Sequence, residues 1–297
     1  MIRWLIADDL TGAADASVHF ASRREVTISF DRRAAGGLVA IDSETRTLPA
    51  GEAAKIITEL ARGMDGDVFK KVDSTLRGPV AAELEALRAA LGRRAVMLAP
   101  ALPAQGRTVV GGRLLVAGRD RGLVRDLAGV DGVDASTDDD LDRVAAACMA
   151  DPTLLPAGSA GLAAAFARLE GPALPPPAPP KVDAVLVVIG SPHPVAREQA
   201  RVLAAQLPAG VELRDSTRAG RRALRGLPAG VAILATGGDT ARAICGELGF
   251  ESLRVRGELL PGVVWMEAQD RILVTKSGGF GEPDHLLLAT LKLLGDG

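Results

Sequence analysis

Six of the ten residues from Gly171 to Pro180 are proline. So many fixed φ angles and missing N–H donors exclude both a helix interior and a central strand. The stretch reads as a stiff, extended linker. It divides the 297-residue chain into two parts, each long enough to be a domain. The expected organisation is 1–170, a linker at 171–181, and 182–297.

The second part repeats one pattern. A short apolar run, read as a buried strand, enters a turn of small polar residues, and a helix leaves it. Ala184–Ile189 leads into Gly190-Ser191-Pro192-His193-Pro194 and a helix over 195–207. Val231–Ala235 leads into Gly237-Gly238-Asp239-Thr240 and a helix carrying Ala241, Ile244, Cys245 and Leu248. Ile272–Thr275 leads into Lys276-Ser277-Gly278-Gly279, with a helix over 283–294. Glycine lets a backbone approach a ligand closely, and the free N–H groups of a helix start favour an anion. In a parallel sheet the three turns would share one edge and form a polyphosphate cradle. Taken alone, Gly237–Thr240 is equally an ordinary tight turn and Lys276 a structural surface lysine. None of the three fits the strict P-loop pattern. Between them lie strands at 211–214, 253–255 and 263–266, a basic helix at 218–225 and a loop at 257–262.

The first part opens with a strand, Ile2–Ala7, which ends at Asp8-Asp9. A helix follows through Ala13, Ala16, Val18 and Phe20. Ligands bind at the carboxyl ends of strands in open α/β sheets, so one aspartate is expected to cap the helix and the other to face a site; Asp9, nearer the helix, is the expected cap. Val26–Phe30 and Leu38–Ile41 read as strands and 49–62 as a helix. Val68–Val72 carries the basic pair Lys70-Lys71 and precedes the polar turn Asp73-Ser74-Thr75-Leu76-Arg77-Gly78. Arg77 has two readings: a fork onto a substrate carboxylate, or a solvated pair with Asp73 or Glu83. Then come a helix at 80–91, a strand at 95–99, a rigid loop through Arg107, a hairpin over 109–116 around Gly111-Gly112, and a loop-like 118–140. A helix over 141–149, a short strand at 154–157 and a helix at 162–169 complete this part. Both parts are thus expected to be α/β, each a largely parallel sheet flanked by helices, with the active site in the cleft between them.

A net charge of −2 gives no sign of a nucleic-acid or membrane partner. Aromatic residues make up 3% of the chain and tyrosine is absent, which argues against base-stacking platforms. Cys148 and Cys245 are far apart and read as buried free thiols. The three histidines are scattered, so no metal spacing exists. No signal peptide and no membrane span are expected, and a cytoplasmic protein is the default.

Five stretches together resemble the four-carbon acid sugar kinase family. They are Ile6-Ala7-Asp8-Asp9-Leu10-Thr11-Gly12-Ala13, Lys71-Val72-Asp73-Ser74-Thr75-Leu76-Arg77-Gly78, Ala99 to Thr108, Thr236 to Thr240, and Lys276 to Gly281. They occur in the family's order and span nearly the whole chain. The resemblance implies a two-domain kinase whose N-terminal domain holds the acid sugar and whose C-terminal domain holds ATP. The reaction it implies is phosphorylation of the terminal hydroxyl of threonate, erythronate or 3-oxo-tetronate. It places Ser191, Gly237, Gly238, Asp239, Thr240 and the glycines near Gly278 on the ATP side, and Asp8, Asp9, Ser74, Arg77 and Arg107 on the substrate side. In that setting Lys276 and Ser277 join Gly278 and Gly279 in the cradle, and Mg²⁺ bridges the phosphates. Arg77 would hold the substrate carboxylate, and Asp8 or Asp9 would orient or deprotonate the attacking hydroxyl. The family is compatible with a homodimer, though nothing in the sequence specifies an interface. The chain is shorter than the usual member, with the gap between about Val116 and Asp134, in a segment that shapes the substrate side. A ligand-binding sensor without turnover is the competing class, and an α/β phosphatase is a third.

Overall fold

The structure, a computed structural model, describes residues 1–30, 36–175, 177–179, 181–227 and 230–295. Linker residues Pro176 and Pro180 lie outside that set. In order, the first elements are β1 (Ile2–Ala7), α1 (Leu10–Ala21), β2 (Val26–Ser29), β3 (Leu38–Asp42), α2 (Ala50–Ala61), β4 (Asp67–Lys71), α3 (Val80–Ala90) and β5 (Ala95–Ala99). There follow β6 (Arg107–Val110), β7 (Arg113–Val116), β8 (Arg119–Leu123), α4 (Val124–Ala128), α5 (Asp138–Ala150), β9 (Leu154–Gly158) and α6 (Ala160–Leu169). After the linker come β10 (Val185–Ile189), α7 (Pro194–Ala205), β11 (Val211–Asp215), α8 (Ser216–Ala219), β12 (Ala232–Thr236) and α9 (Gly238–Leu248). The chain closes with β13 (Ser252–Leu260), β14 (Val263–Ala268), β15 (Arg271–Lys276) and α10 (His285–Leu294).

The chain divides into two compact units: Met1–Glu25 with Ala35–Leu174, and Val26–Ala34 with Pro175–Gly297. The strand read from sequence as part of the first region, β2, therefore groups with the second.

In the first unit the strands lie in the order β3-β1-β4-β9-β5, all parallel. Neighbouring residues of β4 show how the two faces are covered, because side chains alternate along a strand. Val68 joins Ile6, Leu155, Ile57 of α2 and Leu87 of α3 in one apolar cluster. Phe69, fully buried, meets Phe166 of α6 edge-to-face at 5.8 Å. A buried sheet of this kind leaves only its strand ends free for polar chemistry.

A second, antiparallel sheet, β6-β7-β8, stands beside it. Its first turn is Gly111-Gly112, both at positive φ, as a two-residue hairpin turn demands. The Asp134 carboxylate accepts both glycine N–H groups, at 2.7 and 2.8 Å. Here the loop expected over 118–140 is wrong: it contains β8, α4 and the start of α5. The sequence Arg-Asp-Arg-Gly-Leu has no apolar alternation because β8 buries neither face. Its pairing with β7 makes it a strand.

In the second unit β11-β10-β12-β15 are parallel, and β14, β13 and β2 continue the order antiparallel. Only part of this sheet is parallel. Val187, Leu234, Val274 and Trp265 pack with Leu203 of α7 and Leu286 and Leu293 of α10. The loop expected at 257–262 is mostly strand, since β13 runs to Leu260 with Leu253, Val255, Gly257 and Leu259 buried at alternate positions. Gly257 masked this period-2 pattern. The basic helix expected at 218–225 is instead the four-residue α8 followed by a 3-10 turn, broken at Gly220, which has φ +57°.

Candidate active site

In the first unit the carboxyl ends of β1, β3 and β4 gather a set of charges. Asp9 caps α1: its Oδ1 accepts the Gly12 N–H at 2.7 Å, and its Oδ2 accepts the Thr11 hydroxyl at 2.7 Å. Asp8 is held differently. Arg46, four residues beyond β3, donates Nε and Nη2 to its two oxygens, each at 2.7 Å, and Nη1 to Asp9 Oδ2 at 2.6 Å. One guanidinium thus clamps both aspartates. Burial would raise the Asp8 carboxyl, but Arg46 through hydrogen bonding and charge, with Lys70 and Lys71 behind it, holds it below its ordinary range. The same carboxylates hold the Arg46 proton more tightly, against burial that favours its loss.

Arg77 forks onto Asp73, Nε at 2.9 Å and Nη2 at 2.7 Å, and not onto Glu83. Glu83 is buried and pairs with Lys70 at 3.1 Å. The Arg77 side chain is 63% exposed, whereas Asp73 is buried and also accepts from Thr75. Burial is again outweighed: Arg77 and Arg46 hold the Asp73 carboxyl far below the usual range. Arg46 Nη2 lies 4.0 Å from Asp73, so the two clusters are continuous. Ser74 is half-buried in the turn between them. Arg107 enters at the start of β6; its Nε is buried without a partner, and burial pushes its pKa down against the opposing pull of Asp73.

Lys71 is buried at 4% exposure, and its Nζ donates to the Val72 carbonyl at 2.9 Å. A methyl group on Gly12 would fall 2.7 Å from Asp9 Oδ1 and 3.2 Å from Lys71 Nζ, so α1 begins with bare backbone against these charges. Arg46 and Lys71 were not singled out as site residues from sequence. Arg46 stands in an unremarkable Ser-Glu-Thr-Arg run, and only the parallel neighbour relation of β1 and β3 brings it to Asp8.

In the second unit the three glycine turns end the adjacent parallel strands β10, β12 and β15. They touch. Thr236 Oγ1, at the end of β12, accepts the N–H of Gly190 at 3.0 Å and of Ser191 at 3.4 Å. The Gly237 N–H donates to the Lys276 carbonyl at 2.9 Å. An added methyl on Gly190 would overlap Thr240 Oγ1 at 1.6 Å, and one on Gly278 would overlap Ser191 Oγ at 1.9 Å. Gly237 has φ +94°, which favours glycine, and Gly238 starts α9. An added methyl on Gly279 would lie 3.4 Å from the His193 ring, and His193 Nδ1 caps α7. Asp239 and Ser277 are exposed on this edge.

Lys276 is 1% exposed, not a surface residue. Its Nζ donates to the Ser277 carbonyl at 2.7 Å, and no carboxylate among the described residues offsets its charge. Burial pushes its pKa down to about 8. A buried ammonium with donors to spare, beside bare backbone, fits a phosphate. Among the described residues no cluster of His, Cys, Asp and Glu could by itself hold a metal ion.

Comparison with known proteins gives two family matches: a sugar-binding N-terminal domain over residues 4–128 and a nucleotide-binding C-terminal domain over 217–286. A D-threonate kinase of Cupriavidus necator is 29% identical, the match covering 94% of this chain and 95% of that protein. A D-threonate kinase of Bordetella bronchiseptica is 28% identical over 96% of each. The first alignment runs to 395 positions against 297 residues here, so the relative carries long segments that this chain lacks. A Haemophilus influenzae protein shares the fold, with a TM-score of 0.71 at 21% identity, covering 98% of this chain and 100% of that one. A Bordetella bronchiseptica structure, a domain-swapped dimer with bound citrate, gives a TM-score of 0.52 at 26% identity, covering 99% and 98%. No helix among the described residues is long and apolar enough to cross a membrane.

Proposed function

Because the chain belongs to the four-carbon acid sugar kinase family, we propose that it transfers the γ-phosphoryl group of ATP to the terminal hydroxyl of a four-carbon acid sugar of the threonate, erythronate or 3-oxo-tetronate type. The observation that carries this reading is Lys276, a buried ammonium with no carboxylate to offset it among the described residues, at the meeting point of three glycine turns. Burying such a charge is unfavourable unless an anion arrives.

In this reading Ser191, Gly237, Gly238, Thr240, Gly278 and Gly279 bring backbone and hydroxyl donors to the phosphates, and Lys276 brings the charge. Mg²⁺, bound with the nucleotide, would supply positive charge to offset that developing on the transferred phosphoryl group. It would be held chiefly by phosphate oxygens and water, with Asp239 the nearest acidic residue of the turns in sequence.

The acid sugar would use the first unit. Lys71, buried with donor capacity left over, and Arg107, half-buried with its Nε unpartnered, suit the substrate carboxylate, with Ser74 of the 73–78 turn as a further donor. Arg77 contributes by holding Asp73. Asp8, kept ionised by Arg46, accepts a hydrogen bond from the attacking hydroxyl. A carboxyl with a lowered pKa is a weak base, but phosphoryl transfer through a loose transition state asks more for positioning than for proton abstraction. Asp9 fixes the start of α1 and the far arm of Arg46. A homodimer and a cytoplasmic location accompany this reading.

The test is ADP release with a panel of threonate, erythronate and 3-oxo-tetronate stereoisomers, with ³¹P NMR locating the phosphate ester. The expected result is turnover on at least one acid, esterified at the terminal carbon. ATP and acid-sugar binding without turnover on any of them would sink the kinase reading.

A further inference from the structure

A second set of buried polar groups lies behind the Asp8–Arg46 clamp. Lys70 is fully buried, and its Nζ pairs with Glu83 Oε2 of α3 at 3.1 Å. The other Glu83 oxygen, Oε1, accepts the hydroxyl of Thr45. Thr45 Oγ1 in turn lies 2.7 Å from Ser43 Oγ, which donates to the Ala7 carbonyl at 2.8 Å. Ser43, Thr45, Lys70 and Glu83 are all at most 8% exposed. The chain of contacts begins on a helix and ends on the carbonyl immediately before Asp8.

Between Ser43 and Thr45 sits Glu44 with φ +53°, an unfavourable conformation for a residue with a side chain. Such a conformation persists only where its surroundings over-determine it. The two residues on either side are the ones held by the network, and the next residue is Arg46. Its N–H also returns to the Asp8 carbonyl at 3.3 Å.

We propose that Glu83 is a positioning residue for the acid-sugar site: through Thr45 it fixes the strained Ser43–Arg46 turn and thereby sets the Arg46 guanidinium on Asp8 and Asp9. This rests on the reading of Asp8 as the residue that receives the attacking hydroxyl. Lys70 pairs with Glu83 and orients it, and neither reaches the substrate.

Thr45→Val keeps the shape and removes both hydroxyl contacts; Thr45→Ser restores the hydroxyl. The Lys70→Met/Glu83→Leu double variant removes the network without leaving a buried charge unmatched, and serves if Thr45→Val does not fold. Two readouts are taken on each. The first is solvent exchange of the Arg46 Nε–H by NMR, which needs no activity. The second is kcat/KM for the acid sugar beside KM for ATP. Wild type and Thr45→Ser should protect the Nε–H, and Thr45→Val and the double variant should lose that protection. Acid-sugar kcat/KM should fall by about 10²-fold in the latter two, the scale of a misplaced reacting group, with KM for ATP unchanged. Wild-type protection in Thr45→Val would overturn the proposal, as would equal losses toward both substrates. Absence of wild-type turnover on every acid would instead refute the kinase reading, and the exchange readout would still decide the role of Glu83.

Discussion

Replacing Lys276 with methionine should stabilise the ligand-free protein and cripple its binding of ATP. The lysine is 1% exposed and burial pushes its pKa from the ordinary 10.5 down to about 8. That drop corresponds to about 3 kcal/mol of folding free energy lost to keeping the ammonium out of water, an order-of-magnitude figure. The sign follows from proton binding. Below pH 8 the side chain is charged in both folded and unfolded chains, and the whole cost is present. From there to pH 10.5 the unfolded chain holds the proton and the folded one releases it, so stability rises with pH. Above that range both forms are neutral and the cost is gone. Methionine has similar length and no charge, so Lys276→Met should gain up to about 3 kcal/mol at pH 7 and show none of the alkaline rise. Urea unfolding of both proteins at pH 7, 9 and 10.5 reads this directly. Calorimetry at pH 7 should show ATP affinity falling by about tenfold or more, since a charge-assisted phosphate contact is worth roughly 1.5–3 kcal/mol. Wild-type ATP binding above pH 8 should take up a proton, visible as a dependence of the heat on buffer ionisation enthalpy. A Lys276→Met protein that is less stable at pH 7, or that binds ATP as wild type does, would refute the account.

Gly278→Ala places a methyl 1.9 Å from Ser191 Oγ, so ATP affinity should drop while KM for the acid sugar holds, as measured by calorimetry and steady-state kinetics. Asp8→Asn should lower kcat by about 10²-fold with both substrates still bound. Asp9→Ala should cost about 1 kcal/mol of stability through the lost cap, read as a lower urea midpoint; equal kcat losses in the two variants would erase the distinction between them. Arg46→Lys keeps a charge but not the fork, and its acid-sugar kcat/KM should fall further than that of Arg77→Lys, whose side chain is 63% exposed.

The parallel core was legible because strand, turn and helix alternate with strongly apolar strands, and the three turns of the second unit announced themselves through glycine. What the sequence hid is of two kinds. β8 is exposed and polar, and β13 passes through Gly257, so neither shows a plain apolar period; strand pairing, which is not local, made them. At the site, Asp8 and Asp9 were readable because they end a strand, but their different duties depend on Arg46, 38 and 37 residues away. Lys276 looked like any lysine, since burial is not written in a single residue. Arg77 was read as a substrate fork or a local pair, and its geometry is that of the pair with Asp73.

The placement of β2 has a consequence for the gene. Thr27, Ile28 and Ser29 ladder with Arg254, Leu253 and Ser252 of β13, so a strand that precedes the proline linker by well over a hundred residues completes a sheet built from residues that follow it. The proline linker looks like a natural cut, yet a polypeptide ending there would carry Val26–Ser29 without its partner β13. One beginning there would leave a nine-residue strand, β13, as a bare edge of the sort that recruits other chains. Expressed singly, each piece should therefore aggregate, whereas the two made together should recover each other. For this chain the unit of exchange in recombination is both parts together, and neither can be borrowed alone.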